Sequence, residues 1–285
     1  MGGVPVGDPL SMAAQPGAEY GTRPGTPMIG PYSVNQMDDF YAALAVGQVK
    51  PTGIMNYIQH LYVAERCAPG EHLVDVCCGR GLQLPVLYRY APHIGAYTGL
   101  DIAAPHLDEA RRRIRQLNDH YGGCPFSLEL FECDVAGQWP EQAATFDVAV
   151  YTSAFEHLPR EQGIASLRNT AAALARGGRL YLSTPNTPGR PPRRLQHRVH
   201  VYEWHHDELA GVLAETGLVI QEVIGLLPPP AEDLAAALAS GFGDGAARWY
   251  ERLRQIIPAP FLDAVAAAAV PGIAAELLYV CTRRA

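Results

Sequence analysis

Short apolar runs alternate with longer amphipathic segments along most of the chain. Seven runs have the length and composition of buried strands, at 72–78, 96–103, 126–137, 146–153, 177–186, 218–227 and 275–284. Four segments between them repeat apolar residues at the spacing of a helix, at 82–92, 105–122, 160–175 and 207–217. This alternation predicts an α/β fold with a doubly wound, mostly parallel sheet of seven strands.

The two flanks of this pattern differ from its middle. Residues 1–32 are rich in Gly and Pro and lack periodicity, which predicts a flexible N-terminal tail. Residues 33–67 carry two helical patterns, and residues 228–274 carry two or three Ala-rich patterns broken by Gly and Pro. The second group is too small for an independent domain and is predicted to be a helical insertion before the last strand. We therefore expect one domain over 33–285 behind the tail.

Composition narrows the class of protein. The chain has 285 residues, 48% of them hydrophobic, and no apolar run approaches the roughly 20 residues of a membrane-spanning helix. The start lacks the segments of a secretory signal, and a net charge of −7 disfavours broad nucleic-acid binding. The six cysteines form no C-x-x-C pair, which favours free thiols in a reducing cytoplasm. We expect a cytoplasmic protein without a membrane or nucleic-acid partner, of undetermined oligomeric state.

The end of the first predicted strand carries the first candidate chemistry. Its sequence is LVDVCCGRG, with Asp75 inside the apolar run and Gly79 and Gly81 in the turn that follows. Ligands of doubly wound sheets bind beyond the carboxyl ends of the strands. Glycine in such a turn permits a positive φ and a close approach of the backbone to a ligand. Taken alone, the G-x-G spacing fits a tight strand–helix turn without a ligand equally well.

Two further carboxylates stand at the ends of the next two predicted strands. Asp101 follows Gly81 by twenty residues, where a carboxylate can accept both hydroxyls of a ribose. Asp134 ends the third predicted strand in the same way. Three acids at neighbouring strand ends converge on one crevice. A shared ligand explains their positions better than a separate structural role for each unpaired acid would.

These motifs together resemble the class I S-adenosylmethionine-dependent methyltransferases, over residues 70–226 and the last strand. The matching segments are LVDVCCGRG, LDIA, ECDV, FDVAVYTSAFEHL and GGRLYLSTPN. The resemblance implies a Rossmann-like fold and S-adenosyl-L-methionine as the cofactor. It also implies a set of cofactor-binding residues, namely Asp75, Cys77, Gly79, Gly81, Asp101, Ile102, Asp134, Val135 and Ser153.

The first motif departs from the family pattern at one position. Cys77 stands two residues after the acid, where many members have a glycine, and it indicates a slightly tighter fit against the amino-acid end of the cofactor. The chemistry favours this cofactor over a dinucleotide. A pyrophosphate disfavours a nearby anion such as Asp75, whereas a sulfonium and an ammonium favour one. Leu84 also stands where a dinucleotide fingerprint has its third glycine.

His157, in SAFEHL just after the fourth predicted strand, is the candidate catalytic residue. A hydroxyl or acidic-carbon acceptor needs a base, and the pKa range of histidine suits this role. A helix cap or a cofactor contact explains the same position as well, so both interpretations stay open. The neighbouring Glu156 could orient a partner or face solvent.

A second dense group of polar and aromatic residues lies in HRVHVYEWHHDEL, at 197–209. This segment follows the fifth predicted strand and therefore lies at the ligand end of the sheet. We expect substrate contacts from His200, Tyr202 and Trp204. A metal site is the less favoured interpretation, with ligand types at His200, His205, His206 and Asp207. We expect no bound metal.

The motifs do not identify the molecule that accepts the methyl group. In small-molecule members of the family, additions such as 33–67 and 228–274 often act as a lid, which suits a compact acceptor. Only Lys50 among 22 basic residues is a lysine, which is typical of a GC-rich bacterial genome. We expect methylation of a small molecule in such a bacterium, a specialised metabolite of natural-product biosynthesis or a modified peptide. An RNA or protein acceptor, or a non-catalytic cofactor-binding protein, are the alternatives. The methylated atom (oxygen, nitrogen or carbon) is undetermined.

Overall fold

The computed structural model describes residues 51–140 and 145–284 of the chain. The predicted tail over 1–32 and the helical pattern that precedes residue 51 lie outside these residues. Among the helices that are described, none is both long enough and apolar enough to cross a membrane.

Seven strands form one mixed sheet. They are β1 (His72–Val76), β2 (Ala96–Asp101), β3 (Ser127–Glu132), β4 (Phe146–Thr152), β5 (Leu174–Pro185), β6 (Leu218–Leu227) and β7 (Glu276–Arg283). Their order is β3-β2-β1-β4-β5-β7-β6, and β7 runs antiparallel to both of its neighbours. The predicted doubly wound, mostly parallel sheet of seven strands is confirmed. Because β7 is reversed, its first residue lies at the edge where the parallel strands end.

Helices flank this sheet. They are α1 (Pro51–Ala64), α2 (Leu84–Tyr90), α3 (Ala104–Tyr121), α4 (Arg160–Ala173), α5 (His206–Glu215), α6 (Ala231–Phe242), α7 (Asp244–Arg254) and α8 (Ala259–Ala268). Two short 3₁₀ helices occupy Phe155–His157 and Pro271–Ile273. The local sequence sets the limits of α3, which has a proline in its first turn and ends at Gly122 with a φ of 77°.

Two strands have limits that differ from the prediction. β3 ends at Glu132 rather than near residue 137, because Asp134 starts a turn in which its Oδ1 accepts from the N–H of Ala136 at 2.9 Å. Asp134 therefore lies in the loop after β3 and not in the strand. β5 starts earlier than predicted, at Leu174, and continues through Gly177, whose φ is 76°. A register shift against β4 accommodates this irregular start.

The central strands are buried on both faces, which explains their continuous apolar sequences. In β1, Val74 and Val76 belong to one core cluster, whereas Leu73 belongs to the other. The exceptions to this apolar pattern are acids near the ligand end. Asp75 and Asp101 are 5% and 6% exposed, so their burial needs an explanation beyond packing.

The segment between β6 and β7 forms the predicted helical insertion. Helices α6, α7 and α8 share a small core made by Leu234, Leu238, Tyr250, Leu262 and Ala266. The insertion packs against β6 at the edge of the sheet, where a Cβ on Gly225 would lie 2.2 Å from the carbonyl oxygen of Ala267. Only glycine fits at this contact between α8 and the strand.

Candidate functional site

The turn after β1 holds three residues in the left-handed backbone region. Cys77 has a φ of 58°, Gly79 of 53° and Gly81 of 69°. Glycine adopts this region without strain, which gives a physical reason for the family's preference for glycine at the position of Cys77. The N–H of Gly79 donates to Asp101 Oδ2 at 2.8 Å and ties the turn to the end of β2. The turn is thereby fixed against the neighbouring strand.

The carboxylates of Asp101 and Asp134 are oriented by their own loops. Asp101 Oδ1 accepts from the N–H of Ala103 at 2.8 Å, and Asp134 Oδ1 accepts from the N–H of Ala136 at 2.9 Å. Side-chain oxygens that bond the backbone two residues on are the usual means of fixing such loops. Both acids therefore occupy set positions at the ends of neighbouring strands before any ligand arrives.

Asp75 lines the same crevice and is buried. Its Oδ2 accepts from the hydroxyl of Tyr97 at 2.8 Å. Burial raises the pKa of Asp75 to about 7, an effect that the hydrogen bond from Tyr97 partly opposes and the charge of Asp101 reinforces. A buried acid with such surroundings favours a ligand that brings a positive charge.

These residues meet in one cavity of about 870 Å³. The predicted site residues that line it are Asp75, Cys77, Gly79, Asp101, Ile102, Asp134, Val135, Ser153 and His157. Gly81 is outside this lining, and its role is local, since a Cβ there would lie 2.8 Å from Leu84 Cδ1. Ile102 is 68% exposed on the rim, although it is apolar, and so offers a surface for a flat ligand group.

Helix α1 supplies two lining residues that the sequence analysis missed, Asn56 and His60. They are four residues apart and therefore share one face of the helix. Burial lowers the pKa of His60 to about 4, so this imidazole is neutral near pH 7. Polar residues at helical spacing in the otherwise apolar segment 53–67 were the available signal.

His157 also lines the cavity, at the end of the 3₁₀ helix after β4. Its Nδ1 is 3.2 Å from the carbonyl oxygen of Val199, which leaves Nε2 for another partner. Glu156 is buried at 3% exposure rather than facing solvent, and it accepts from the hydroxyl of Thr184 at 3.2 Å. Burial raises the pKa of Glu156.

The donor atoms of Glu156, His157 and His200 lie within 4.8 Å of one another. Two imidazoles and a carboxylate at such separations could hold a divalent cation. This group differs from the ligand set considered from the sequence, because among the described residues His205, His206 and Asp207 do not join His200 in such a cluster.

The loop between β5 and α5 is organised around Glu203, which is 1% exposed. This carboxylate accepts from the hydroxyl of Thr187, from the N–H of Gln196 at 2.7 Å and from Nδ1 of His200 at 2.5 Å. Burial opposes its charge, but these hydrogen bonds hold the pKa of Glu203 below its usual value. The loop is therefore fixed from within.

The structure of this loop contradicts the expected substrate contact of Trp204. It also gives Tyr202 and His200 partners within the protein. Trp204 is 1% exposed and stacks on Phe155 at 5.2 Å between ring centroids, so it is a core residue with no surface for a substrate. Tyr202 donates to Glu208 Oε1 at 2.7 Å and secures the loop. His200 does not line the cavity, but its ring lies 5.3 Å from that of His157.

Comparisons with known proteins agree with this geometry. Residues 73–178 match the family model described as a methyltransferase domain. No curated protein sequence matches the chain at a significant level.

Three solved structures with low sequence identity share the fold. The small RNA methyltransferase HEN1 has a TM-score of 0.57 and 15% identity over 80% of this chain, which spans only 25% of that protein. The [4+2]-cyclase SpnF has a TM-score of 0.53 and 16% identity over 80% of each chain. The O-methyltransferase from a trans-AT PKS multienzyme of Brevibacillus brevis, in complex with S-adenosyl-L-homocysteine, has a TM-score of 0.54 and 19% identity. That match covers 88% of this chain and 77% of the other.

The sheet topology and the glycine turn agree with the fold of the class I S-adenosylmethionine-dependent methyltransferases. Over residues 73–178 the chain is similar to methyltransferase domains, and S-adenosylmethionine is the expected cofactor.

Proposed function

We propose that this methyltransferase binds S-adenosylmethionine along β1 to β3 and methylates a small molecule held beside Ser153 and His157. The observation that carries the proposal is the single cavity of about 870 Å³ that joins both groups of residues. Its volume suits a cofactor together with a compact acceptor.

The lining residues fit the cofactor by charge and by shape. Asp101, fixed by two backbone N–H groups, would accept the two ribose hydroxyls. Asp75 would hold the ammonium of the amino-acid end, since a buried acid favours a cation. Asp134, Ile102 and Val135 would hold the adenine, for which the exposed side chain of Ile102 offers an apolar surface.

The reaction places limited demands on the protein. S-adenosylmethionine supplies a methyl group already activated on a sulfonium. The chain's residues therefore mainly align the acceptor, exclude water and accept a proton where the acceptor must lose one. His157 is the proposed base for an acceptor that carries a hydroxyl or an acidic carbon.

A small acceptor is favoured over a nucleic acid by the charge of the cavity. Four acids line it, Asp75, Asp101, Glu109 and Asp134. Among the described lining residues there is one arginine, Arg80. Such a surface repels phosphates. The neighbour from a polyketide synthase supports a specialised metabolite of natural-product biosynthesis as the acceptor, and a modified peptide is compatible with the same cavity.

Calorimetry with S-adenosylmethionine, S-adenosylhomocysteine and NAD tests the cofactor assignment, with both sulfur ligands expected to bind and NAD expected not to bind comparably. Equal or tighter binding of NAD contradicts the proposal. Mass spectrometry of candidate acceptors, incubated with the protein and S-adenosylmethionine, then tests turnover. Binding without any S-adenosylhomocysteine formed would favour another chemistry on this fold, as in the neighbour described as a [4+2]-cyclase.

A further inference from the structure

Glu276 is a buried acid that the proposed cofactor contacts do not use. It is the first residue of β7, and its neighbours across the sheet are Pro185 of β5 and Leu227 of β6. The reversed direction of β7 therefore places this carboxyl at the ligand end of the sheet. It is 6% exposed.

No basic group compensates this carboxyl within the described part of the chain. Its surroundings are the hydroxyls of Ser153 and Ser183 and the nearby acid Glu156. Burial, reinforced by the charge of Glu156, raises the pKa of Glu276 to about 8. A buried acid without a cation is costly unless it is protonated or a ligand supplies the positive charge.

Ser153 connects this carboxyl to the cavity. Its Oγ lies 3.4 Å from Glu276 Oε1, and Ser153 itself lines the cavity beside the cofactor residues. The backbone of Ser153 is held in the left-handed region, with a φ of 50°, by a bond from its N–H to Ser183 Oγ at 3.0 Å. Strain of this kind in a residue other than glycine is typical of functional sites.

The polar atoms around Ser153 include more hydrogen-bond acceptors than this side chain can satisfy. Ser153 Oγ is 3.3 Å from Asn56 Oδ1 and 3.2 Å from Gln59 Nε2. Gln59 is fully buried, yet its Oε1 has no hydrogen-bond partner among the described residues. Gln59 Nε2 donates to Ser153 Oγ and, at 2.9 Å, to Asn56 Oδ1, whereas the acceptor atoms of Asn56 and Glu276 compete for the single proton of the serine hydroxyl. A ligand with several N–H groups satisfies such a set, whereas one hydroxyl does not.

We propose that Ser153, supported by Glu276, binds the methyl acceptor through a protonated amine, so that the reaction is N-methylation of that amine. This inference rests on the proposed function and names its substrate class. A carboxylate or phosphate acceptor is disfavoured because it would add charge to a cavity that is already acidic.

The proton and the charge balance in this step. The ammonium passes one proton to Ser153 Oγ while Ser153 passes its own proton to the Glu276 carboxylate. The freed nitrogen lone pair attacks the methyl carbon, the carbon–sulfur bond breaks, and its electron pair stays on sulfur. The products are a methylammonium, neutral S-adenosylhomocysteine and protonated Glu276. Ser153 contacts the reacting group, and Glu276 acts through it.

Sinefungin tests the inference without a known acceptor, since it carries a protonatable amine where S-adenosylmethionine carries its methyl sulfonium. Calorimetry near neutral pH gives the ratio of its affinity to that of S-adenosylhomocysteine. We expect Glu276→Gln to reduce this ratio about tenfold or more, because the negative charge that acts on the amine through Ser153 is lost. S-adenosylhomocysteine binding should stay within about twofold of the unmodified protein, because this ligand has no cation at the transfer position.

Glu251→Gln is the matched control, since it removes the same charge from an exposed position on α7. Ser153→Gly is the second variant: it removes the hydroxyl, suits the positive φ, and should reduce the ratio in the same way. An unchanged ratio in a variant that still binds S-adenosylhomocysteine overturns the amine assignment and leaves the methyltransferase proposal intact. If the unmodified protein binds neither ligand, the proposed function itself is wrong.

Discussion

The two halves of the cavity are built in different ways. On the side proposed for the cofactor, Asp75, Asp101 and Asp134 follow one another along the chain, and local turns fix the last two. On the side proposed for the acceptor, the lining residues Asn56 and Ser153, together with Glu276 beside Ser153, come from distant segments and meet only through the sheet and α1. The cofactor half is therefore set largely by local sequence, whereas the acceptor half depends on tertiary structure.

This difference explains why a family can keep one cofactor and vary its acceptor. Strand-end acids and their turns are properties of each strand–loop unit, so they persist when other parts of the chain change. The acceptor half depends on α1 and on β7, whose neighbouring segments differ most from the repeating pattern. Substitutions that separate the two halves can test this division.

The largest expected effect is on the cofactor half. Asp101→Ala should weaken S-adenosylhomocysteine binding by on the order of 2 to 3 kcal/mol, because charge-assisted hydrogen bonds to two hydroxyls are lost. Calorimetry measures it, with the exposed Asp108→Ala on α3 as the control. An affinity equal to that of the control would mean that Asp101 does not hold the ribose.

The next prediction concerns stability. Asp101→Ala should weaken ligand binding, whereas a substitution on the acceptor half should stabilise the ligand-free protein. The pKa of Glu276 is raised in the folded state, so its contribution to stability is full below pH 4.5 and is lost as the pH rises through about 8. Glu276→Gln should therefore stabilise the ligand-free protein at about pH 8.5, by on the order of 2 kcal/mol. Asp75, whose pKa is about 7, causes a similar loss of stability at lower pH. This loss remains in the variant, because Asp75 is unchanged there.

Denaturant unfolding between about pH 5 and pH 8.5 checks this prediction. The unmodified protein should lose stability up to about pH 8, whereas the loss in Glu276→Gln should end near pH 7, where Asp75 is ionised. The same pH dependence in both proteins would show that Glu276 is not the buried acid that titrates there.

The sequence predicted the cofactor half better than the acceptor half. Periodicity identified every strand of the sheet, and motif spacing placed Asp75 and Asp101 in one crevice. It misplaced Trp204, because an aromatic residue in a loop near the ligand end can equally well point into the core. It also missed Glu276, because the reversal of β7 that brings this residue to the ligand end is a property of the assembled sheet.

A smaller effect separates two possible roles on the acceptor half. His157→Ala should reduce turnover on the acceptor found by mass spectrometry by less than about tenfold, because an amine passes its proton to Ser153 and Glu276. A hydroxyl acceptor that uses His157 as its base would instead lose about a hundredfold. S-adenosylhomocysteine affinity should stay unchanged, and a joint loss of affinity and turnover would place His157 in the cofactor half.

The smallest effect tests whether the turn after β1 depends on backbone conformation or on its thiol. Cys77→Ala keeps the left-handed strain, whereas Cys77→Gly removes it, and a residue other than glycine in this region costs about 1 kcal/mol. The glycine variant should therefore be more stable than the alanine variant in denaturant unfolding, by less than that amount because glycine also gains entropy in the unfolded state. Both should bind S-adenosylhomocysteine within about threefold of the unmodified protein, since an effect below 1 kcal/mol is expected from a small apolar contact. A loss above tenfold in both variants would show that the thiol contacts the cofactor directly, and the local backbone would then be only part of what fixes the cofactor half.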